Sequence, residues 1–207
     1  MIILFTGNGK GKTTAALGQA FRTLGRGKRV LMIQFIKGPW KSGEDELTGR
    51  FKAQKVKILE TDQLRRLEGS ELRPQASEEL LEGLENFYDF HIKKMGRGFV
   101  GILGDTLPKE EHARAAREAL QFATSEMRQG KWDLIILDEV NVATSLGLLT
   151  KEEVLEALQL VPVEKFVILT GRDAPQEFID AADLVTEMRE VKHPFNDGKM
   201  AKIALEF

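Results

Sequence analysis

Phe5-Thr6-Gly7-Asn8-Gly9-Lys10-Gly11-Lys12-Thr13-Thr14 is the stretch on which the fold turns: the apolar run Met1–Phe5 leads into it and a helix-forming sequence leaves it. Three glycines interleaved with Asn8 and Lys10 let the backbone curl so that successive N–H groups face inward, and the N-terminus of the following helix adds partial positive charge. Such a turn suits a polyphosphate. Lys12 can reach the phosphate oxygens and the Thr13 hydroxyl can ligate a magnesium ion, as in the Walker A motif G-x-x-x-x-G-K-[ST]. Strict spacing would put the first glycine where Thr6 stands, so the match holds from Gly11 onward, and Lys10 adds a second cation inside the loop.

Outward from this turn, short β-branched-rich runs alternate with helical stretches, the pattern of a parallel sheet covered on both faces. Strands are expected at Ile2–Thr6, Arg29–Phe35, Lys55–Leu59, Asp133–Asp138, Lys165–Thr170, Leu184–Glu187 and Ala201–Phe207. Helices are expected at Lys12–Leu24, Glu78–Met95, Pro108–Gln129 and Lys151–Leu160. Pro108 opens the third helix and Gly130 follows its end, while Ala113, Ala116, Leu120, Ala123 and Met127 form one apolar stripe. In Glu78–Met95 the stripe is Leu80, Leu84, Phe87, Tyr88 and Ile92. The expectation is one α/β domain over residues 1–207, doubly wound and mostly parallel, of the P-loop NTPase type with a RecA-like sheet. Two irregular stretches, Lys37–Gly49 and the glycine-rich Gly96–Thr106, read as its working loops.

Leu134-Ile135-Ile136-Leu137-Asp138-Glu139 is a buried strand ending in two acids, the Walker B pattern, in which a carboxylate meets a phosphate-bound Mg²⁺ directly or through water. Spacing alone leaves open whether Asp138 or Glu139 is the direct ligand, since neighbours on a strand point to opposite sides. In an ordinary ATPase, Glu139 would orient an attacking water and Arg172, in Thr170-Gly171-Arg172, would stabilise the transferred phosphoryl group. On these residues alone a P-loop ATPase or kinase and a non-catalytic nucleotide carrier both stay open.

Composition narrows the chemistry. The 207 residues are 42% hydrophobic and 30% charged, and 30 Lys and Arg against 32 Asp and Glu leave a formal charge of −2, which argues against wholesale nucleic-acid or membrane-surface binding. There is no cysteine, so disulfides, thiolate metal sites, iron–sulfur clusters and cysteine nucleophiles are excluded. No apolar run approaches the ~20 residues of a membrane helix. The N-terminus lacks the pattern of a secretory signal, so the expected compartment is the cytoplasm.

Over nearly its whole length the sequence resembles the ATP:corrinoid adenosyltransferases of the bacterial cobalamin pathway. The resemblance rests on Thr6-Gly-Asn-Gly-Lys-Gly-Lys-Thr-Thr-Ala-Ala-Ala16, Gln34-Phe-Ile-Lys-Gly38, Leu137-Asp-Glu139, Leu169-Thr-Gly-Arg172 and Val191-Lys-His-Pro-Phe195 with Gly198. The shortened phosphate loop is the form this family carries. The resemblance implies transfer of the 5′-deoxyadenosyl group of ATP to the cobalt(I) of a reduced corrinoid, with release of triphosphate. It also implies a reversed ATP, with the terminal phosphates in the loop and C5′ facing the corrinoid. ATP and corrinoid are then the substrates, with Mg²⁺ as cofactor. Lys12 and Glu139 become the catalytic residues; Gly7, Asn8, Gly9, Lys10, Gly11, Lys12, Thr13, Thr14 and Arg22 bind ATP; and Thr13, Glu139 and Asp138 hold the metal. Arg22 matches a family position near the nucleoside, and a solvated helix arginine is an equal account of it. Family members commonly carry Gly-Phe-Thr-Trp before the long helix, with aromatics that keep the lower cobalt ligand away. This chain reads Gly98-Phe99-Val100-Gly101, retaining Phe99 for the corrinoid with glycine at the tryptophan position. Phe99 reads equally as a buried loop anchor. The family further suggests a homodimer, and the lack of thiols suggests a separate electron donor such as a flavoprotein.

The histidines give no metal spacing. His91 is expected as a core residue on its helix stripe, His112 as solvated and His193 as a loop residue before Pro194. Trp40 is a loop anchor or a corrinoid or partner contact, and Glu44-Asp45-Glu46 reads as a solvated run.

Overall fold

The computed structural model describes residues 1–38, 43, 44, 46, 89–102 and 104–194. Within them, strands β1 (Ile2–Thr6), β2 (Val30–Gln34), β3 (Phe90–Lys94), β4 (Leu134–Asp138), β5 (Phe166–Thr170) and β6 (Leu184–Glu187) form one sheet in the order β3-β2-β4-β5-β1-β6. Every pairing is parallel. The described helices are α1 (Lys12–Leu24), α2 (Lys109–Gln129), α3 (Val140–Ser145), α4 (Lys151–Leu158) and α5 (Gln176–Ala181).

Alternation along the strands explains why both faces are covered. Ile3, Val30, Met32, Leu134, Ile136 and Ile168 point to one side, where they meet Ala16, Ala20 and Leu24 of α1. Leu4, Leu31, Ile33, Ile135, Leu137, Val167 and Leu169 point to the other, against Ala116, Leu120, Ala123 and Met127 of α2. Small residues on both helices bring their backbones close to the sheet, and the expected α2 stripe is buried throughout. The α4 start is fixed by a capping box: the Thr150 hydroxyl accepts from Glu153 N–H and the Glu153 carboxylate accepts from Thr150 N–H. Among the described residues no helix is long and apolar enough to cross a membrane.

Four expectations need correction, one of them the solvated reading of Glu44, whose side chain is 11% exposed and pairs with Lys37. Phe90–Lys94, the end of the expected helix Glu78–Met95, is the edge strand β3 beside β2. Its residues alternate Phe90 in, His91 out, Ile92 in, Lys93 out, a period of two that the i, i+4 reading of Tyr88 and Ile92 overrode. His91 is therefore no core residue; its half-exposed ring pairs with Asp89 at 2.6 Å. His112, expected in solvent, is 3% exposed and bonds Asp105 at 3.0 Å. The expected strands Lys55–Leu59 and Ala201–Phe207, the helix over 78–88 and Trp40 lie outside the described residues. The short helices α3 and α5 carry no sequence stripe long enough to announce them. The remaining elements match their expected places, with ends shifted by one or two residues.

Candidate active site

In a parallel sheet the loops beyond the strands' carboxyl ends converge, and ligands bind there. Here β1 delivers the phosphate loop, β5 delivers Thr170, β4 delivers Asp138 and Glu139, and β2 delivers Gln34. Because β5 lies between β1 and β4, Thr170 stands between the loop and the acids.

The loop itself spans Gly7 to Gly11. Gly7 has φ 91, and a Cβ there would lie 2.5 Å from the Met188 carbonyl oxygen, so only glycine fits. The segment after β6 lines the loop: Gly9 N–H donates to Met188 O at 2.6 Å and Met188 N–H donates to Thr6 O at 2.8 Å. Lys12 opens α1 with its side chain turned into the loop, where Nζ donates to Gly7 O at 2.7 Å and Gly9 O at 2.8 Å. Burial lowers the Lys12 pKa, while Glu139 opposes the shift. Thr13 Oγ1 points across the sheet and donates to Asp138 Oδ1 at 2.9 Å. Asn8, Lys10 and Thr14 are exposed at the rim of the turn.

Asp138 is fully buried and saturated with donors. Thr170 Oγ1 donates to Oδ1 at 2.8 Å and Gln34 Nε2 donates to Oδ2 at 3.1 Å, in addition to Thr13. Gln34 faces Asp138 because the β2–β4 register pairs them directly. Glu139 begins α3 in the left-handed region, φ 63, with its N–H donating to Thr170 Oγ1 at 2.9 Å. A non-glycine residue held there stores about 1–3 kcal/mol, which the surrounding packing must sustain. Its pKa is pushed up to about 7, first by burial and then by the Asp138 charge, against the pull of Lys12, Lys37 and Arg172. Asn141 Nδ2 donates to Gly171 O at 3.1 Å, holding the turn that carries Arg172.

Two other expected residues lie apart from the loop. Arg22 is exposed in the last turn of α1, ten residues and about 15 Å along the helix from Lys12, where its charge complements the helix C-terminus. Phe99 is 44% exposed, which excludes its reading as a buried anchor, and it shares its segment with the exposed Ile102 and Leu107. That segment springs from β3 beside β2: Met95 and Gly96 N–H donate to Gln34 O, and Gly98 N–H donates to Ile36 O. Asp105 ties its far end, accepting from Gly101 N–H at 2.8 Å, Leu107 N–H at 3.1 Å and the His112 ring. The two backbone donors hold the Asp105 carboxyl below the ordinary range.

Gln34 and Thr170 enter the site although no individual role is expected of them from sequence. Their signal was available: Gln34, Asp138 and Thr170 are the polar last residues of three otherwise apolar buried strands, and those strands are neighbours.

A parallel sheet with a phosphate loop after its first strand, and a paired-acid strand one place beyond β5, defines a nucleotide-binding protein of the P-loop class. The chain belongs to the family described as ATP:corrinoid adenosyltransferase BtuR/CobO/CobP, which matches it over residues 1–85 and 73–207. It is 35% identical over 207 residues to the corrinoid adenosyltransferase of Escherichia coli K12, covering 100% of this chain and 85% of that protein. It is 33% identical to the corrinoid adenosyltransferase CobA of Salmonella typhimurium LT2, with the same coverage. The corrinoid adenosyltransferase of Pseudomonas aeruginosa is 32% identical, with 100% of this chain and 83% of that protein covered.

Proposed function

We propose that this protein transfers the 5′-deoxyadenosyl group of ATP to the cobalt(I) of a reduced corrinoid, releasing inorganic triphosphate, in adenosylcobalamin formation. The observation that carries the reading is a phosphate loop closed around a buried Lys12, in a chain whose relatives along its full length are corrinoid adenosyltransferases.

Cobalt(I) is itself a strong nucleophile, so the protein's task is alignment and charge stabilisation rather than general-base catalysis. The cobalt electron pair forms the bond to C5′, and the C5′–O electron pair leaves on the α-phosphate oxygen. With the terminal phosphates in the loop, Lys12 exchanges Gly7 O and Gly9 O for phosphate oxygens, and Lys10 and the loop amides take further charge. Gly7 to Thr14 form the polyphosphate cradle in this account.

The acids suit Mg²⁺. Thr13, Asp138 and Glu139 offer oxygen donors alone, and no group of three or more His, Asp or Glu among the described residues could hold a metal unaided. That is the sparse protein share expected when substrate phosphates complete the coordination. Thr13 gives its proton to Asp138 and so keeps lone pairs for a cation, while Asp138 is occupied by three donors. We therefore assign Thr13 and Glu139 as direct ligands and Asp138 as the group that orients Thr13. When bound, Mg²⁺ withdraws charge from the polyphosphate.

Phe99, with its exposed ring on the segment beside β2, is assigned to the corrinoid. With no cysteine in the chain, electrons for cobalt reduction are assigned to a separate donor such as a flavoprotein. A homodimer acting in the cytoplasm completes the proposal. Incubation with Mg-ATP and chemically reduced corrinoid tests it: triphosphate and a light-sensitive cobalt–carbon product are expected. ADP with orthophosphate, or binding without product, would contradict it.

A further inference from the structure

On the β2 side the site holds a charged cluster with no role in the account above. Lys37, three residues past the end of β2, forms an ion pair with Glu44. The Lys37 side chain is 35% exposed and that of Glu44 only 11%, so a mostly buried carboxylate holds a partly exposed ammonium. Glu44 Oε1 also receives a longer 3.4 Å contact from Gln34 Nε2, the same group that donates to Asp138. The ion pair is thus joined through one amide to the acid that orients Thr13. The Lys37 charge also reaches Glu139, whose ionised form it favours.

Strand order sets what this cation can meet. Strands lie about 4.8 Å apart, so the end of β4 is about 10 Å from the end of β1, and that of β2 about 14 Å. If a nucleotide with its terminal phosphates in the loop runs toward β4, its α-phosphate stays near the loop side of this line, and Lys37 would meet it by reaching back from beyond β2 with its long side chain. Lys12 and Lys10 belong to the near end. Of the cations whose charge reaches Glu139, Lys12 comes from the loop after β1, Arg172 from beyond β5 and Lys37 from beyond β2.

We propose that Lys37 is the cation that meets the α-phosphate oxygen as the C5′–O bond breaks, and that Glu44 is the positioning residue holding its ammonium ready. The inference rests on the adenosyl-transfer reading with ATP reversed in the loop. In the step, the cobalt electron pair makes the new bond to C5′, the C5′–O pair goes to the α-phosphate oxygen, and Lys37 keeps its protons. Glu44 gives up its ion pair to the more highly charged leaving group.

The test uses the full chain, Mg-ATP and corrinoid already reduced to cobalt(I), so that electron supply is not limiting. K37Q is expected to lower kcat by about 10- to 100-fold with KM for ATP changed less than about threefold, and K37R to regain most of the loss. E44Q should lower kcat less, and K37Q/E44Q should be no slower than K37Q, because Glu44 acts through Lys37. Calorimetric titration without corrinoid gives a readout apart from turnover: K37Q should weaken Mg-triphosphate binding more than Mg-ATP binding. Should K37Q lower the unfolding midpoint, K37M, which keeps the aliphatic stem, supplies the comparison. A kcat within about twofold of the parent with unchanged triphosphate affinity would overturn the proposal. So would a loss confined to KM for the corrinoid, which would place Lys37 against the macrocycle. A parent protein yielding ADP and orthophosphate would instead overturn the underlying reading, whatever K37Q does.

Discussion

Glu139 carries two costs at once: a left-handed backbone at φ 63 and a carboxyl pushed from its ordinary value of 4.5 to about 7 by burial and by Asp138. Both are sustained by packing, and a Mg²⁺ ion with its phosphates would relieve the electrostatic one. The ligand-free folded protein keeps the Glu139 proton between pH 4.5 and about 7, where the unfolded chain has lost it. Folding stability from this group therefore falls as pH rises through that window. Glu139→Gln should remove the slope and stabilise the ligand-free protein above pH 7 by about 3 kcal/mol, measured by denaturant unfolding across pH. The parent's Mg-ATP affinity is expected to rise as pH passes about 7 and Glu139 ionises, and the same variant should lose that rise. Lys12 gives the complementary case. Lys12→Ala removes two hydrogen bonds to Gly7 O and Gly9 O, and it should cut kcat by about 100- to 1000-fold through lost leaving-group stabilisation. Product identity should stay the same in the residual activity.

At the scale of elements, the segment from Gly96 to Leu107 is held at both ends, with Val100 packed on the core between them and Phe99 and Ile102 exposed. Its start is bonded to Gln34 O and Ile36 O, and Gly96 lies so close to β2 that a Cβ would stand 2.5 Å from Phe35 O. Its end is gathered by Asp105, and Phe99 and Ile102 stay exposed between. Asp105→Ala should free the middle, raising KM for the corrinoid several-fold and leaving KM for ATP unchanged, as steady-state kinetics with pre-reduced corrinoid would show. A matching rise in KM for ATP would mean that the segment serves the nucleotide instead. The expected strand–turn–helix over Ile2–Leu24 was legible because glycine spacing, apolar run and helix start all agree there. The edge strand β3 was not, because Phe90 and Ile92 are too few apolar residues to outweigh a helical period extended from Tyr88. Burial of His112 was equally hidden: its neighbours in sequence are charged, and its partner Asp105 lies seven residues away across a turn.

For the whole molecule, the order β3-β2-β4-β5-β1-β6 spreads the proposed functional residues along one edge of the sheet. The phosphate loop sits at β1, the acids at β4, Lys37 beyond β2 and the Phe99 segment beyond β3. Motifs announced the first two because their residues are contiguous in sequence. The network joining Gln34, Asp138, Thr170 and Thr13 was not announced, since it exists only once three strands lie side by side. The account places the polyphosphate near β1 and the reacting C5′ away from it, so the bond that breaks is C5′–O rather than a phosphorus–oxygen bond. ATP carrying a heavy-oxygen label in the bridge between C5′ and the α-phosphorus decides this in one reaction with cobalt(I) corrinoid. The account predicts that the label leaves entirely with triphosphate while the adenosyl carbon appears on cobalt. Label retained in ADP or AMP would contradict it.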